Sequence, residues 1–419
     1  MIMSAEMTDE RIFRNARINS DGPLVDLHVA GGRFSGISPG IENGAGCEEV
    51  DLGGRAVLPA FVESHIHLDK AFLEEREPNL SGTLEDAISI TLALKKTVTK
   101  QDVMERAERA LRMCIRHGAT WFRAQVEVDP IVGLLGVEVA LALKEKYAGL
   151  ADFQLVIFPQ EGIEQQPGTE DLMREAMRMG GDLVGGIPYN DLDAERHLDI
   201  VFGMAEAFGC GLDFHLDFAD DPRVRNIESV AARTMAAGLG GRVAVGHLTS
   251  LGAMPPDDAA LVIEKILEAG ISVLPLPATD LFLGGRGDAP PRFRSLAPVK
   301  DLLSAGVNVA ISSNNIRNAF TPSGRGDLLE LGLLLAHALH MSGASDRSLV
   351  PELFTTNGAK ALGVGEGYGL RPGCAADFVV LDSLNFDDIL IDQPEKRFVV
   401  KGGRIIVENV SETSWREAE

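Results

Sequence analysis

Four of the nine histidines in this 419-residue sequence follow directly on short apolar runs. His65 and His67 end the run "VLPAFVESHIH", His215 ends "GLDFH" and His247 ends "VAVGH". Residues two apart on a strand point to the same face, so His65 and His67 can direct two imidazoles to one point. Neutral imidazole is a good ligand for Zn²⁺ and Fe²⁺, and the four side chains together indicate one metal site.

Each of these histidines, taken alone, is equally well explained as a hydrogen-bonded residue of the core. Their shared position at the ends of apolar runs favours the metal site, because random placement would scatter them. The other five have positions typical of structural or solvated residues: His28, His117, His197, His337 and His340.

The middle of the chain, residues 57–370, alternates apolar runs with amphipathic stretches, which is the pattern of β/α units. Strands are predicted at 57–67, 119–129, 152–160, 183–189, 211–218, 243–249, 272–278 and 307–313. Helices are predicted at 83–96, 101–116, 133–147, 169–179, 194–208, 226–238, 258–269 and 325–341. Eight strands with interleaved helices predict a (β/α)₈ barrel, in which catalytic residues gather at the C-terminal ends of the strands. The four histidines fall at those ends of strands 1, 5 and 6.

The two ends of the chain have a different pattern. Residues 1–56 and 371–419 contain short strand-like segments, with "GGR" turns at 31–33 and 402–404. We predict that these two parts form one small β-sandwich beside the barrel of residues 57–370.

Composition argues against several classes of partner. The chain has 39 Lys and Arg against 62 Asp and Glu, a formal charge of −23, and no basic stripe suited to a nucleic acid or an anionic membrane. No apolar run approaches the roughly 18 residues of a membrane-spanning helix. Four scattered cysteines and an N-terminus without signal character predict a cytoplasmic protein. The sequence leaves open whether the chain forms a homo-oligomer.

Several motifs resemble the amidohydrolase superfamily, in the branch that includes cytosine deaminase and the N-alkylammelide hydrolases. They are HIHLDK (65–70), FPQEG (158–162), the strand-5 histidine, GH (246–247) and TTNGAKALGVGEGYGLRPGCAADFVVLD (355–382). The resemblance covers nearly the whole chain.

This resemblance implies one Zn²⁺ or Fe²⁺ ion held by His65, His67 and His215, with His247 hydrogen-bonded to the water on the ion. Gln160 stands at the position that binds a substrate amide. The implied reaction is hydrolysis of a C–N bond in a small nitrogen heterocycle, by deamination or amide hydrolysis. The metal supplies the water nucleophile by lowering the pKa of water towards about 7.

The segment SSNNIRN (312–318) departs from the family pattern Ser-Asp-Asn-Ile-Arg-Asp. Asn314 replaces the Asp that contacts the metal and accepts the proton of the water, and Asn318 replaces the second Asp. Phe218 stands where the family has a Glu that protonates the ring nitrogen. An amide oxygen can bind a metal weakly, so Asn314 stays a candidate ligand, but it cannot accept a proton at neutral pH.

Four side chains are candidates to replace the missing base. The first two are His247, by its position, and Asp217, whose i+2 relation to His215 predicts the same strand face. Asp69 and Glu161 are further candidates, whose positions are harder to predict. Phe158 and Phe218 are predicted to line the pocket with apolar surface suited to a planar heterocycle or an alkyl group. Arg317 either binds a substrate carbonyl or carboxylate or braces its own loop.

Three interpretations therefore remain open. The chain is a working hydrolase with a substitute base, a heterocycle-binding protein with little turnover, or a folded relic that makes no use of the site. The four histidines and the segment Gln160-Glu161-Gly162 argue against the third.

Overall fold

The computed structural model describes residues 10–44, 46–286, 296–341 and 343–416. The predicted N-terminal part of the sandwich, 1–56, therefore begins outside the described residues, and the predicted C-terminal part ends outside them.

The described residues form fifteen strands and fourteen α-helices, numbered here in chain order. The strands are β1 (Glu10–Ala16), β2 (Val25–Ala30), β3 (Arg33–Ser38), β4 (Glu48–Asp51), β5 (Val57–Pro59), β6 (Phe61–Ile66), β7 (Ala119–Glu127), β8 (Asp152–Phe158), β9 (Leu183–Gly186), β10 (Gly211–Leu216), β11 (Val243–His247), β12 (Ser272–Leu274), β13 (Phe378–Leu381), β14 (Lys396–Lys401) and β15 (Arg404–Glu408). The helices are α1 (Leu84–Lys95), α2 (Lys100–Arg116), α3 (Leu135–Lys146), α4 (Thr169–Met179), α5 (Ala194–Phe208), α6 (Asn226–Ala236), α7 (Thr249–Gly252), α8 (Pro256–Glu268), α9 (Pro277–Leu283), α10 (Val299–Ala305), α11 (Leu328–Ala338), α12 (Ala344–Leu353), α13 (Thr356–Leu362) and α14 (Ile389–Asp392). Short 3₁₀ turns lie at Leu73–Glu75, Pro188–Asn190 and Gly365–Gly367.

Seven parallel strands, β6 to β12, lie side by side in chain order and form most of a barrel. Residues 307–314 occupy the eighth position and bond to both neighbours. The Val273 amide donates to the Asn308 carbonyl at 2.9 Å, and the His67 amide donates to the Asn314 carbonyl at 2.8 Å. The predicted (β/α)₈ barrel with a small β-sandwich is confirmed.

The eighth position is not a regular strand, because side chains replace part of its hydrogen-bond ladder. The buried Glu63 carboxylate accepts from the Ser312 hydroxyl at 2.6 Å, from the Ser313 hydroxyl at 2.6 Å and from the Ser313 amide at 2.9 Å. The Ser312 hydroxyl accepts in turn from the His65 amide at 2.9 Å. One carboxylate on the first barrel strand thus fastens the closing segment.

The sandwich consists of two four-stranded sheets. Their strand orders are β3-β2-β1-β4 and β15-β14-β13-β5. Phe378 of the second sheet packs edge-to-face on Phe13 of the first, with ring centroids 4.9 Å apart, and also contacts Phe34. Both ends of the chain therefore contribute to one apolar core, which is separate from the barrel core.

The predicted strand 57–67 is divided between the two parts of the molecule. β5 pairs with β13 of the sandwich, and Ala60 still bonds to the Asp377 carbonyl at 3.1 Å. From Phe61, which donates to the Gly118 carbonyl at 2.8 Å, the chain belongs to the barrel. Pro59 has no N–H to continue a ladder, which suits it to this change of partner.

The eight predicted helices are present, two of them, 169–179 and 194–208, with the predicted bounds and six with shifted ends. The Thr83 hydroxyl caps α1 by accepting from the Asp86 amide, and α1 packs through Ala87 against Leu283, Ala319 and Phe320 at the barrel mouth. None of the helices that the structure describes combines the length and apolar character needed to cross a bilayer.

Candidate active site

Three imidazoles converge at the C-terminal mouth of the barrel. His65 and His67 lie at the end of β6, and His215 lies in β10. The Nε2 atom of His215 lies 3.1 Å from that of His65 and 2.9 Å from that of His67. Burial lowers the pKa of all three imidazoles, with neighbouring positive charges adding to the effect for His67 and His215. The neutral form that binds metal ions is therefore favoured.

A buried carboxylate orients the first of these rings. His65 Nδ1 lies 3.1 Å from Asp213 Oδ1, so the proton on Nδ1 is donated to Asp213 and Nε2 is left as a ligand atom. Asp213 also accepts from Gln125 at 3.0 Å and from Arg123 at 3.1 Å. Residues of β7 and β10 therefore fix the orientation of the His65 ring.

The arrangement fits one divalent ion. Zn–N distances of about 2.0–2.1 Å place two ligand nitrogens roughly 3.3 Å apart in a tetrahedral site, close to the separations observed here. Asn314 Oδ1 is buried at the same place and has no hydrogen-bond partner among the described residues. It adopts φ 55°, a left-handed conformation that asparagine tolerates, at the end of the closing segment.

A second buried pair lies beside these ligands. His247 Nδ1 is 2.6 Å from Asp280 Oδ1, and the other carboxylate oxygen accepts from the Leu276 amide at 2.9 Å. This bond holds the proton of the neutral ring at Nδ1 and leaves Nε2 as an acceptor. His247 has φ 69°, unusual for a histidine and typical of strain at functional sites. Its ring centroid lies 5.5 Å from that of His215.

These groups open into a pocket at the barrel mouth. One side is apolar and comes from Leu84 and Ile88 of α1 with Leu283, Ile187, Phe218 and Phe320. The polar lining consists of His67, His215, His247, Lys70, Gln160, Tyr189, Thr279, Asn314 and Asn315. None of the described residues that line it carries a carboxylate.

A buried ionic network stands behind Lys70. The Lys70 ammonium donates to Glu127 at 2.5 Å and to Gln160 Oε1 at 2.8 Å. Lys95 at the end of α1 bonds to Glu127, Asp129 and Glu161 at 2.7–3.0 Å. Burial alone would favour the neutral acid, but the two lysines lower the pKa of Glu127. The charges thus compensate each other and fix the loops after β6, β7 and β8.

The structure brings together most of the predicted site residues. One pocket is lined by His67, His215, His247, Asn314, Gln160 and Phe218, and His65 lies behind it in contact with His215. Phe218 packs against His247 with centroids 4.9 Å apart.

Three predicted residues lie elsewhere. Asp217 does not share the face of His215, because β10 ends at Leu216 and Asp217 turns away with φ 49°. Its carboxylate accepts from the Asn226 and Ile227 amides at the start of α6. Arg317 donates to the Gly324 carbonyl at 3.1 Å and braces its own loop. Phe158 lies behind the site and stacks on His215 at 4.0 Å.

Sequence reasoning missed Asp280, Asp213 and Lys70. Lys70 belongs to the HIHLDK motif and Asp213 precedes His215 by two residues, so their positions in the sequence could have indicated that both lie near the site. Asp280 carried none, because the predicted strand 272–278 ends at Leu274 and a helix, α9, brings Asp280 back to His247.

A barrel whose mouth holds converging neutral imidazoles beside a His–Asp pair defines the class of metal-dependent barrel hydrolases. The chain belongs to the amidohydrolase family, whose family model matches residues 79–407. It is a hydrolase acting on non-peptide C–N bonds, and the predicted resemblance to the cytosine deaminase-like branch is confirmed by the relatives below.

The chain is 32% identical over 407 residues to N-isopropylammelide isopropyl amidohydrolase of Pseudomonas sp. (strain ADP), covering 95% of this chain and 97% of that protein. It is 28% identical to a pterin deaminase of Rhizobium rhizogenes, covering 93% and 89%. The crystal structure of 5-methylcytosine deaminase from Klebsiella pneumoniae with phosphonocytosine superposes with a TM-score of 0.91 at 31% identity, covering 97% of this chain and 100% of that chain.

Proposed function

We propose that this protein hydrolyses a C–N bond of a small nitrogen heterocycle, using one divalent metal ion held by His65, His67 and His215. The convergence of three buried imidazole nitrogens beside a pocket at the barrel mouth carries the proposal. It is supported by relatives whose names record action on an ammelide, a pterin and a methylcytosine.

The bound ion, Zn²⁺ or Fe²⁺, supplies Lewis acidity and a water nucleophile near neutral pH. Asn314 Oδ1 adds a neutral oxygen ligand but takes no proton. His247 Nε2 is the proton acceptor, because its Nδ1 proton is held by Asp280. The same imidazole then returns the proton to the leaving nitrogen. Phe218 has no proton to give to a ring nitrogen, so His247 is the group that supplies the proton in this proposal.

The test combines metal analysis with turnover. Protein purified without added metal or chelator is expected to hold about one Zn or Fe per chain, and a panel of amino- and oxo-heterocycles should include a hydrolysed compound. His65→Ala combined with His67→Ala removes two ligands and is expected to abolish both metal and turnover. His337→Ala, on the distant helix α11, is the matched control and should change neither.

A second candidate function follows from Asn314 and Phe218, which deprive the cavity of the family's two carboxylates. In that case the chain binds a heterocycle with little turnover. Protein that holds metal and binds a ring but hydrolyses no member of the panel would favour this binding function. Protein that does not bind added metal would contradict the proposed hydrolase.

The four cysteines are free thiols, which supports the cytoplasmic location that we also propose.

A further inference from the structure

Two amides that line the cavity have their oxygens already engaged. Gln160 Oε1 accepts from the Lys70 ammonium, a group that can only donate, so the orientation of the Gln160 amide is fixed. The Gln160 NH₂ group has no partner among the described residues. It is therefore available to donate to a ligand.

The side-chain amide of Asn315 is also fixed in one orientation, by a hydrogen bond from Asn318. Asn318 Oδ1 accepts from the amides of Phe320 at 3.0 Å and Thr321 at 3.2 Å. These backbone donors fix the Asn318 oxygen, so its NH₂ group donates to Asn315 Oδ1 at 2.7 Å. The Asn315 NH₂ group is left with one long contact, 3.4 Å to Thr279, and a second hydrogen for a ligand.

The cavity away from the metal ligands is therefore a surface of donors. Lys70, Gln160 and Asn315 all present N–H groups, and no described lining residue is a carboxylate that could accept from a substrate. Asn314 Oδ1 and His247 Nε2 can accept but belong to the metal site, and the Tyr189 hydroxyl can either donate or accept. Thr279 shares a 2.6 Å hydrogen bond with Thr321.

We propose that this donor surface, formed by Lys70, Gln160 and Asn315, selects heterocycles whose edge consists of acceptors, namely oxo groups and unprotonated ring nitrogens. Asn318 is the positioning residue that sets the polarity of Asn315. In Asn318→Asp, the carboxylate would still accept hydrogen bonds from the same two backbone amides, but it would repel Asn315 Oδ1. The Asn315 side-chain amide would then turn over and present its oxygen to the cavity, where it accepts hydrogen bonds from amino groups of a ligand. The inference rests on the proposed function, and it names the substrate class of that site.

Calorimetric titration of the metal-free and metal-loaded protein compares two rings of similar shape. Barbiturate is an acceptor-rich anion, and 2,4-diaminopyrimidine presents two amino groups. A mismatched buried hydrogen bond weakens binding, so barbiturate is expected to bind the metal-free protein at least about tenfold more tightly. The metal-free measurement removes any preference that comes from the ion itself.

Asn318→Asp should reduce that preference about tenfold, while Phe218→Glu, which adds an acceptor to the cavity, should move it in the same direction. Asn308→Asp makes the same change at the opposite end of the closing segment and should leave the ratio unaltered. Thermal unfolding checks that each variant is folded. Tighter binding of the diamine by the native protein, an unchanged ratio in folded Asn318→Asp, or binding of neither ring would overturn the proposal. If the protein prefers barbiturate but hydrolyses no heterocycle, the proposed hydrolase is contradicted and the proposed donor surface is not.

Discussion

At the scale of single residues, the chemistry depends on which atoms of neutral side chains face the cavity. The bond from His247 to Asp280 sets the tautomer of the ring that we propose as proton acceptor, and Asp213 does the same for His65, a proposed metal ligand. Asn314 and Phe218 replace two carboxylates of the family pattern, so the proposed mechanism depends on these two tautomers.

Asp280→Asn should leave the fold and the metal intact but lower kcat by about 10²–10⁴, because the amide no longer holds the proton at His247 Nδ1. The measurement is kcat and its pH profile on a hydrolysed heterocycle, together with metal content. Asp217→Asn is the matched control, since it alters a buried carboxylate that caps α6 rather than the cavity. It should reduce stability and spare kcat. An unchanged kcat in Asp280→Asn would remove His247 as the proton acceptor.

At the scale of elements, buried ionic contacts hold the loops that follow the barrel strands. Asp191 accepts from the Ile163 amide at 2.7 Å and from His197 at 2.8 Å, and His197 Nε2 accepts from the Ile187 amide. The loop that carries Gln160 is thereby fixed to the loop that carries Ile187. Burial would raise the pKa of Asp191, but His197 and the backbone amides hold it below its ordinary value.

Asp191→Asn should lower the free energy of unfolding by about 2–3 kcal/mol at pH 7, since hydrogen bonds to a charged group are lost. Because the folded-state pKa is depressed, the stabilisation is fully present above the ordinary Asp value of about 4 and is lost as pH falls through the folded-state value. Urea denaturation of both proteins over a pH series measures this. A difference that stays constant into strong acid would contradict the role of the Asp191 charge.

Elements were predicted better than side-chain directions. The strands and helices of the barrel follow from alternating apolar runs, and the four histidines follow from their position at strand ends. Asp217 was misplaced because alternation stops where β10 stops, and backbone with positive φ begins at that residue. Asp280 could not be predicted, because its partner lies 33 residues away and the contact depends on how α9 turns back over the mouth.

At the scale of the whole molecule, the sandwich brings together the N-terminal and C-terminal strands beside the point where the chain passes into the first barrel strand. Phe378 lies between Phe13 and Phe34, which are more than 340 residues earlier. Gly118, at φ 106°, lets the barrel approach this junction, because a Cβ there would lie 2.9 Å from Phe61 and Val379. Contacts of such sequence separation close long loops of chain, which carries an entropic cost on folding.

Phe378→Ala should therefore cost about 3–5 kcal/mol, the typical price of removing a buried aromatic ring. The urea midpoint should fall, while metal content per folded chain is retained. Leu384→Ala removes a side chain that is 65% exposed in the same region and should leave the midpoint within error. Equal midpoints for the two variants would show that the shared core adds little to stability.

The segment that closes the barrel, residues 307–314, is held in place separately from the side chains that face the cavity. Its backbone is positioned by amides and carbonyls of neighbouring strands and by the Glu63 carboxylate, all of which bind residues up to 314 through main-chain atoms or serine hydroxyls. The side chains at 314, 315 and 318 contribute little to that positioning. We therefore expect that exchange of amide for carboxylate at these positions leaves the barrel closed and changes which substrates are preferred.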